Sequence, residues 1–224
     1  MTYTGEVTSG GPSDVRVLPD VVVRKASVSA MNNNCYLLTC RATGEQLLVD
    51  AADDAPRLAA LVEEGAADGG TGLRLVVTTH QHWDHHRALA AVVAATGART
   101  AAGRDDADAL PVTPDDRLDH GDTVTFGAVS LGVVHLRGHT PGSVALVLRS
   151  SDGSTHVFTG DSLFPGGVGN TQKDAARFTQ LIDDVETRLF GTLPDETWVY
   201  PGHGGDTTIG AERPALAEWR ERGW

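Results

Sequence analysis

Apolar residues come along this chain in short runs broken by polar and glycine-containing stretches, a pattern that reads as strands joined by turns. Residues 15–18, 21–23, 35–40 and 46–49 form a first block, with turns expected at 32–34 and 42–45. Asp53 or Asp54 stands where a helix cap belongs, ahead of a helix through Leu58, Leu61 and Val62 that ends near Glu64. A loose connection at 65–72 leads to a strand at 73–78 and then to an Ala-rich helix reaching Thr96, with Leu89, Val92 and Val93 at helical spacing. Past Gly97 the runs are strand-like again, at 99–102, 123–126, 129–136, 144–148 and 155–159, with a polar excursion over 105–114. Ser151-Asp152-Gly153 is a good hairpin turn. Phe178, Leu181, Ile182, Val185 and Leu189 make one stripe of a helix, a last strand follows at 197–200, and a short helix is expected over about 212–220. Two blocks of strands, each followed by a helix, suit two sheets packed face to face with helices outside. Residues 1–14 read as a flexible, poorly ordered arm, and 15–224 as one domain.

Composition narrows the function classes. The chain has 224 residues, enough for a sizeable core, and its 18 Lys+Arg against 30 Asp+Glu give a net charge of −12. Such a balance disfavours nucleic acid and anionic membranes as partners and leaves a small-molecule substrate. Cys35 and Cys40 are an odd number of positions apart in one strand, so they face opposite sides and do not pair. They read as small buried hydrophobes in a reduced compartment. The first residues are polar and Gly-rich, and no run approaches the ~18–20 apolar residues of a membrane span, so a soluble, cytoplasmic protein is expected.

The densest chemistry is Thr78-Thr79-His80-Gln81-His82-Trp83-Asp84-His85-His86, with four histidines and an aspartate in seven residues. Imidazole and carboxylate suit zinc, iron or manganese, and the run sits at a strand-to-helix turn between two rigid elements. Three further candidates stand at strand ends, each directly after a glycine: His139 in Gly138-His139-Thr140-Pro141-Gly142-Ser143, Asp161 in Thr159-Gly160-Asp161-Ser162, and His203 in Pro201-Gly202-His203-Gly204. That repetition is what a sheet edge needs to aim several side chains into one cleft.

The motifs HxHxDH, GHTPGS, TGDSLF and PGHG, in that order over about residues 20–205, resemble the metallo-β-lactamase fold superfamily, most closely its glyoxalase II-like branch, the hydroxyacylglutathione hydrolases. The resemblance implies an α/β fold, an αββα sandwich of two mixed sheets with the helices on the outer faces and a two-metal site at one edge. It places His80, His82 and His139 on a first metal, Asp84, His85 and His203 on a second, and Asp161 between them. Two divalent ions, zinc by preference with iron or manganese as alternatives, would sit about 3.5–4 Å apart and activate a shared water. The implied activity is hydrolysis of a thioester or related ester by a metal-bound hydroxide, with Asp84 and Asp161 as the catalytic carboxylates; a lactone is an alternative substrate. A persulfide dioxygenase of the same fold would use a single iron on His80, His139 and Asp161 instead.

Other positions receive plainer readings. His86 lies beyond the motif and is left open between a place behind the ligands, the rim of the site and solvent; Trp83 is read as a packing wall, His135 as structural, and His120 and His156 as surface residues. Tyr36 and Phe164 are candidates to line the cleft, and Arg87 is a helix-surface charge that could pair an anionic substrate. Only 21 residues follow His203, room for one short helix rather than the helical domain that helps glyoxalase II bind glutathione, so a different thiol carrier is open. Export-dependent β-lactam hydrolysis and nuclease activity fit the chain less well.

Overall fold

A computed structural model describes residues 2–223 of the protein; Met1 of the expected arm and the final Trp224 lie outside them. Strands β1 (Asp14–Val17), β2 (Val21–Val28), β3 (Asn33–Cys40), β4 (Glu45–Val49), β5 (Gly72–Thr78), β6 (Arg99–Gly103) and β7 (Asp116–Leu118) pair in chain order in a seven-stranded sheet. The first four run antiparallel and the last four parallel, so the sheet is mixed. Parallel neighbours need crossovers, and helices α1 (Ala55–Glu64) and α2 (Leu89–Thr96) lie in the first two of them. The Asp54 carboxylate accepts the Arg57 N–H and caps α1, one of the two caps expected.

The second sheet contains β8 (Thr123–Phe126), β9 (Val129–His135), β10 (Val144–Arg149), β11 (Thr155–Gly160), β14 (Trp198–Pro201) and β15 (Thr207–Thr208), ordered β15-β14-β11-β10-β9-β8. Between β11 and β14 the chain forms a small hairpin, β12 (Leu163–Phe164) with β13 (Gly167–Val168), and then helix α3 (Ala175–Val185). Two short helices, α4 (Ile209–Glu212) and α5 (Leu216–Arg222), replace the single one expected near the end, with a tight turn at Arg213–Ala215 between them. Pro214 sits in the first positions of that turn, where its missing N–H and fixed φ are tolerated as they would not be in the middle of one long helix.

Alternation along the strands sorts side chains into three apolar layers. Tyr36, Leu38, Leu47, Val77, Leu131, Leu146 and Phe158 fill the space between the sheets. Leu37, Leu48 and Val76 face the other way and pack with Leu58, Leu61, Leu89 and Val92 from α1 and α2. Val147, Val157 and Val199 pack with Phe178, Leu181, Ile182 and Val185 of α3 and Trp219 of α5. The result is the expected αββα sandwich. Truncating a doubly covered residue such as Leu48, fully buried in β4, to Ala would cost about 2–5 kcal/mol. Cys35 belongs to the outer layer and Cys40 to the inner one, both buried and unpaired, as their spacing requires.

Three expectations are corrected. The described part of the arm makes specific contacts instead of trailing: Thr4 and Gly5 donate to the Asp14 carboxylate, Gly10 N donates to Ser27 O, and Gly5 O accepts the buried Lys25 ammonium. Asn33 and Asn34 begin β3 and are buried, so only Asn32, at φ 54°, belongs to the expected turn. The stretch after Gly103 contains a short helical turn at Ala107–Ala109 and leads into the unforeseen strand β7. Among the described residues no helix is long and apolar enough to cross a membrane.

Candidate metal centre

Five histidines and two aspartates from four chain segments converge at the ends of the strands. The seven fall into three overlapping groups whose ligand atoms lie within 4.8 Å of one another: His80, His82 and His139; His80, His85 and Asp161; and Asp84, His85 and His203. All seven residues proposed from the sequence are brought together. His80 and His82 follow β5, Asp84 and His85 lie in a tight helical turn at Trp83–His85, and Asp161 and His203 follow β11 and β14, which are parallel neighbours. That adjacency is what sets Asp161 beside His203, with Oδ2 to Nε2 at 3.4 Å.

Hydrogen bonds on the outer nitrogens fix which ring atom faces inward. His139 Nδ1 donates to Asn170 O at 2.8 Å, and His203 Nδ1 donates to Met31 O at 2.9 Å. His85 Nδ1 donates to Asp50 Oδ2 at 2.9 Å. Thr79 Oγ1 gives its own proton to Asp50 and so accepts from His80 Nδ1, 3.0 Å away. In each ring Nε2 is left pointing at the centre, the arrangement that metal-ligating imidazoles need. His82 is turned the other way: its Nδ1 faces inward, 2.9 Å from His139 Nε2.

The carboxylates sit between the rings. Asp84 Oδ2 is 3.4 Å from His203 Nε2 and 3.5 Å from His85 Nε2, and Asn33 Nδ2 donates to it at 2.9 Å. Asp161 reaches both sides, with Oδ1 3.3 Å from His85 Nε2 and Oδ2 3.6 Å from His139 Nε2. Glycine at 202 is a steric requirement, because a Cβ there would run into the Asp161 carboxylate and lie 2.8 Å from His85 Cε1.

Electrostatics separate the rings into two kinds. Burial pushes His139 down to about 4 and His80 well below the ordinary imidazole range, so both are neutral at pH 7. Burial also acts against charge on His85 and His203, but is outweighed by Asp161, with Asp50 helping at His85 and Asp84 at His203; each is raised to about 10. Asp161 is buried, which opposes its charge, yet the surrounding imidazoles hold it well below the usual carboxylate range. The cluster therefore demands positive charge at its centre. Among the described residues His80 Nε2 and Asp161 Oδ1 are buried without a hydrogen-bond partner, and nitrogen and oxygen donors at these separations suit a divalent cation. The residues fit the metals that the sequence motifs imply.

Residues that sequence reasoning missed hold this arrangement. Asp50, at the end of β4, binds Thr79 N, Thr79 Oγ1 and His85 Nδ1. Asn33 binds both the carboxylate and the carbonyl oxygen of Asp84. On α3, Arg177 donates to the carbonyls of Gly138 and His139, and Asp184 takes the N–H and guanidinium of Arg137. Asp50 has the same strand-end position as the ligands and could have been flagged on that ground.

Other expectations resolve differently. Tyr36 is buried between the sheets, outside the cleft, and its hydroxyl donates to Pro201 O two residues before His203. Phe164 is the nearer aromatic, its ring 6.4 Å from that of His203. Trp83 is no packing wall: it is 54% exposed, since the turn that points Asp84 inward points it out, under the Arg87 guanidinium at 4.2 Å. Arg87 also pairs with Asp53. His86 is outside all three ligand groups and donates Nε2–H to Gln81 O. His156 is buried, not on the surface, because its strand β11 is interior to the sheet and the ring packs on Tyr200.

An αββα sandwich carrying such a cluster at its strand ends defines a class of metal-binding proteins. The sequence pattern of the Metallo-beta-lactamase superfamily matches residues 28–203, and the chain belongs to that family. It is 36% identical over 192 residues to a hydroxyacylglutathione hydrolase of Fuscovulum blasticum, covering 83% of this chain and 67% of that protein. Against similar hydrolases of Jannaschia and Polaromonas the chain covers 62% and 66% of their length, about two thirds. Among solved structures it is similar to ETHE1 from Myxococcus xanthus, with TM-score 0.75, 31% identity and coverage of 88% of this chain and 84% of that one. It is also similar to TTHA1623 in a di-iron-bound form, with TM-score 0.65, 30% identity and coverage of 84% and 95%.

Proposed function

We propose that this protein is a dinuclear metal hydrolase, with zinc as its ions, that cleaves a small-molecule thioester or related ester. The observation that carries the reading is the convergence of seven donors, with Asp161 shared between His80, His82 and His139 on one side and Asp84, His85 and His203 on the other. The similarity to hydroxyacylglutathione hydrolases supports a thioester substrate. A single-iron centre on His80, His139 and Asp161 would leave the converging Asp84, His85 and His203 without a task.

When bound, the ions supply Lewis acidity toward a carbonyl oxygen and lower the pKa of water. The chain's own residues do the rest. Asp161 would offset the repulsion between two bound cations. Asp84, held by the Asn33 amide, would also orient the attacking water. Gln81, His82, His139, Thr140, Gln172 and Arg177 line an open cleft of about 460 Å³, a volume suited to a small molecule. Hydrolysis gives the free acid and releases the thiol or alcohol with the second proton of water. Unpaired Cys35 and Cys40 accord with action in a reducing cytoplasm.

The test is hydrolysis of a panel of thioesters, esters and lactones by zinc-loaded protein. Activity that disappears on chelation and returns with zinc supports the reading. Fully loaded protein that cleaves nothing in the panel refutes it.

A further inference from the structure

Asp106 lies outside the seven-residue cluster, in the stretch after β6 that the sequence marks only as polar, and its side chain is fully buried. It stands immediately before the helical turn Ala107–Ala109, where an aspartate ordinarily caps the helix, yet it makes no cap there. The carboxylate turns away from its own element. Oδ2 accepts the N–H of Gln81, between His80 and His82, at 2.9 Å, and also accepts the Thr140 hydroxyl, beside His139. Oδ1 accepts the N–H of Gly142 at 2.7 Å. One side chain is therefore hydrogen-bonded to both turns that supply the first group of histidines, turns 57 residues apart in the chain.

The packing is built for this contact. A Cβ on Gly142 would collide with Asp106 N and lie 2.8 Å from Asp106 Cγ, so only glycine lets the two segments meet. The three partners are two backbone amides and a hydroxyl, all neutral. Burial opposes charge on this carboxyl and pushes it above the usual carboxylate range, although its three hydrogen bonds act the other way. Gln81 and Thr140, which it holds, are the chain neighbours of His80 and His82 and of His139.

We infer that Asp106 is a positioning residue for the first metal: it fastens the His80–His82 turn to the His139 turn. The inference rests on the two-metal reading above. Asparagine is the sharpest probe, since it keeps the shape but replaces one acceptor oxygen by an NH2 group facing N–H or O–H donors. Outer contacts of this kind typically govern metal affinity by about 10–100-fold.

The experiment is chelator competition with zinc, together with the absorption spectrum of cobalt-substituted protein, on wild type, Asp106→Asn and Thr140→Val. Wild type should take up two ions. Asp106→Asn should hold one ion as tightly as wild type and the other about 10–100-fold more weakly, with altered cobalt bands for the weakened ion only. Thr140→Val, which keeps the carboxylate and removes one of its three donors, should shift the same ion by less; it carries the test if Asp106→Asn fails to fold. Two ions at wild-type affinity in both variants would overturn the inference, as would equal weakening of both ions. A wild type that takes up fewer than two ions would refute the two-metal reading itself, and is distinguished because it is seen before any substitution.

Discussion

Asp50 Oδ2 lies 2.9 Å from His85 Nδ1, and the same oxygen accepts the Thr79 hydroxyl that orients His80. One carboxylate thus sets two rings that the proposed two-metal assignment gives to different ions. Asp50→Ala is expected to weaken binding of both ions, by about 10–100-fold each. Chelator competition measures this; affinity unchanged at either ion would mean the ring orientations are set elsewhere.

Metal removal should lower stability. An ion present at a hundredfold excess over its dissociation constant adds about 2.7 kcal/mol, so stripping the protein should drop its melting temperature by on the order of 5–10 °C. Differential scanning calorimetry with and without chelator gives the number. Equal melting temperatures would show that the native state binds no ion tightly.

Lys25 is expected to be the most costly single polar residue outside the cluster. Its ammonium, wholly buried, donates to Gly5 O, Gly204 O and Asp206 Oδ1, and Asp206 also accepts Tyr3 and Trp198. Lys25→Met strands the Asp206 charge and should destabilise by about 3–5 kcal/mol in urea unfolding. A loss under about 1 kcal/mol, typical of an exposed pair, would contradict the burial of this network.

His156 gives a pH dependence of stability. Burial, assisted by the nearby Arg16 guanidinium, pushes its imidazole from the ordinary 6.5 down to about 4. Because the folded value is depressed, its stabilisation is complete above pH ~6.5 and is lost as the pH falls from there toward 4, where the unfolded state binds the extra proton. The contribution is at most about 3 kcal/mol. His156→Gln should flatten the decline of stability between pH 6.5 and 4 relative to wild type, both in chelator; identical slopes would assign the acid sensitivity to other groups.

Much of this was legible in the sequence, and the reason is local. Each ligand either stands in one dense turn or follows a strand and a glycine, so His80, Asp161 and His203 could be read from a few neighbours. Strands such as β3 and β10 were clear because their apolar runs have strand length. What stayed hidden acts over distance. Asn33 meets Asp84 across 51 positions, Asp106 meets Thr140 across 34, and Lys25 meets Asp206 across 181. Their immediate neighbours resemble ordinary turns or polar loops: Asn33 sits in a run of asparagines, and Asp106 among other aspartates. Lys25, inside a strand, gave no sign that its charge would be buried, because the Asp206 that pairs with it is set beside it only by the second sheet.

Two ions bound by the seven converging side chains are central to the proposed chemistry. Elemental analysis of native protein, equilibrated with zinc and freed of excess, tests it directly when wild type is compared with Asp161→Ala. Two zinc ions per chain in wild type and marked loss of both in the variant is the predicted result. A single iron per chain, or an Asp161→Ala protein that keeps two ions, would contradict it.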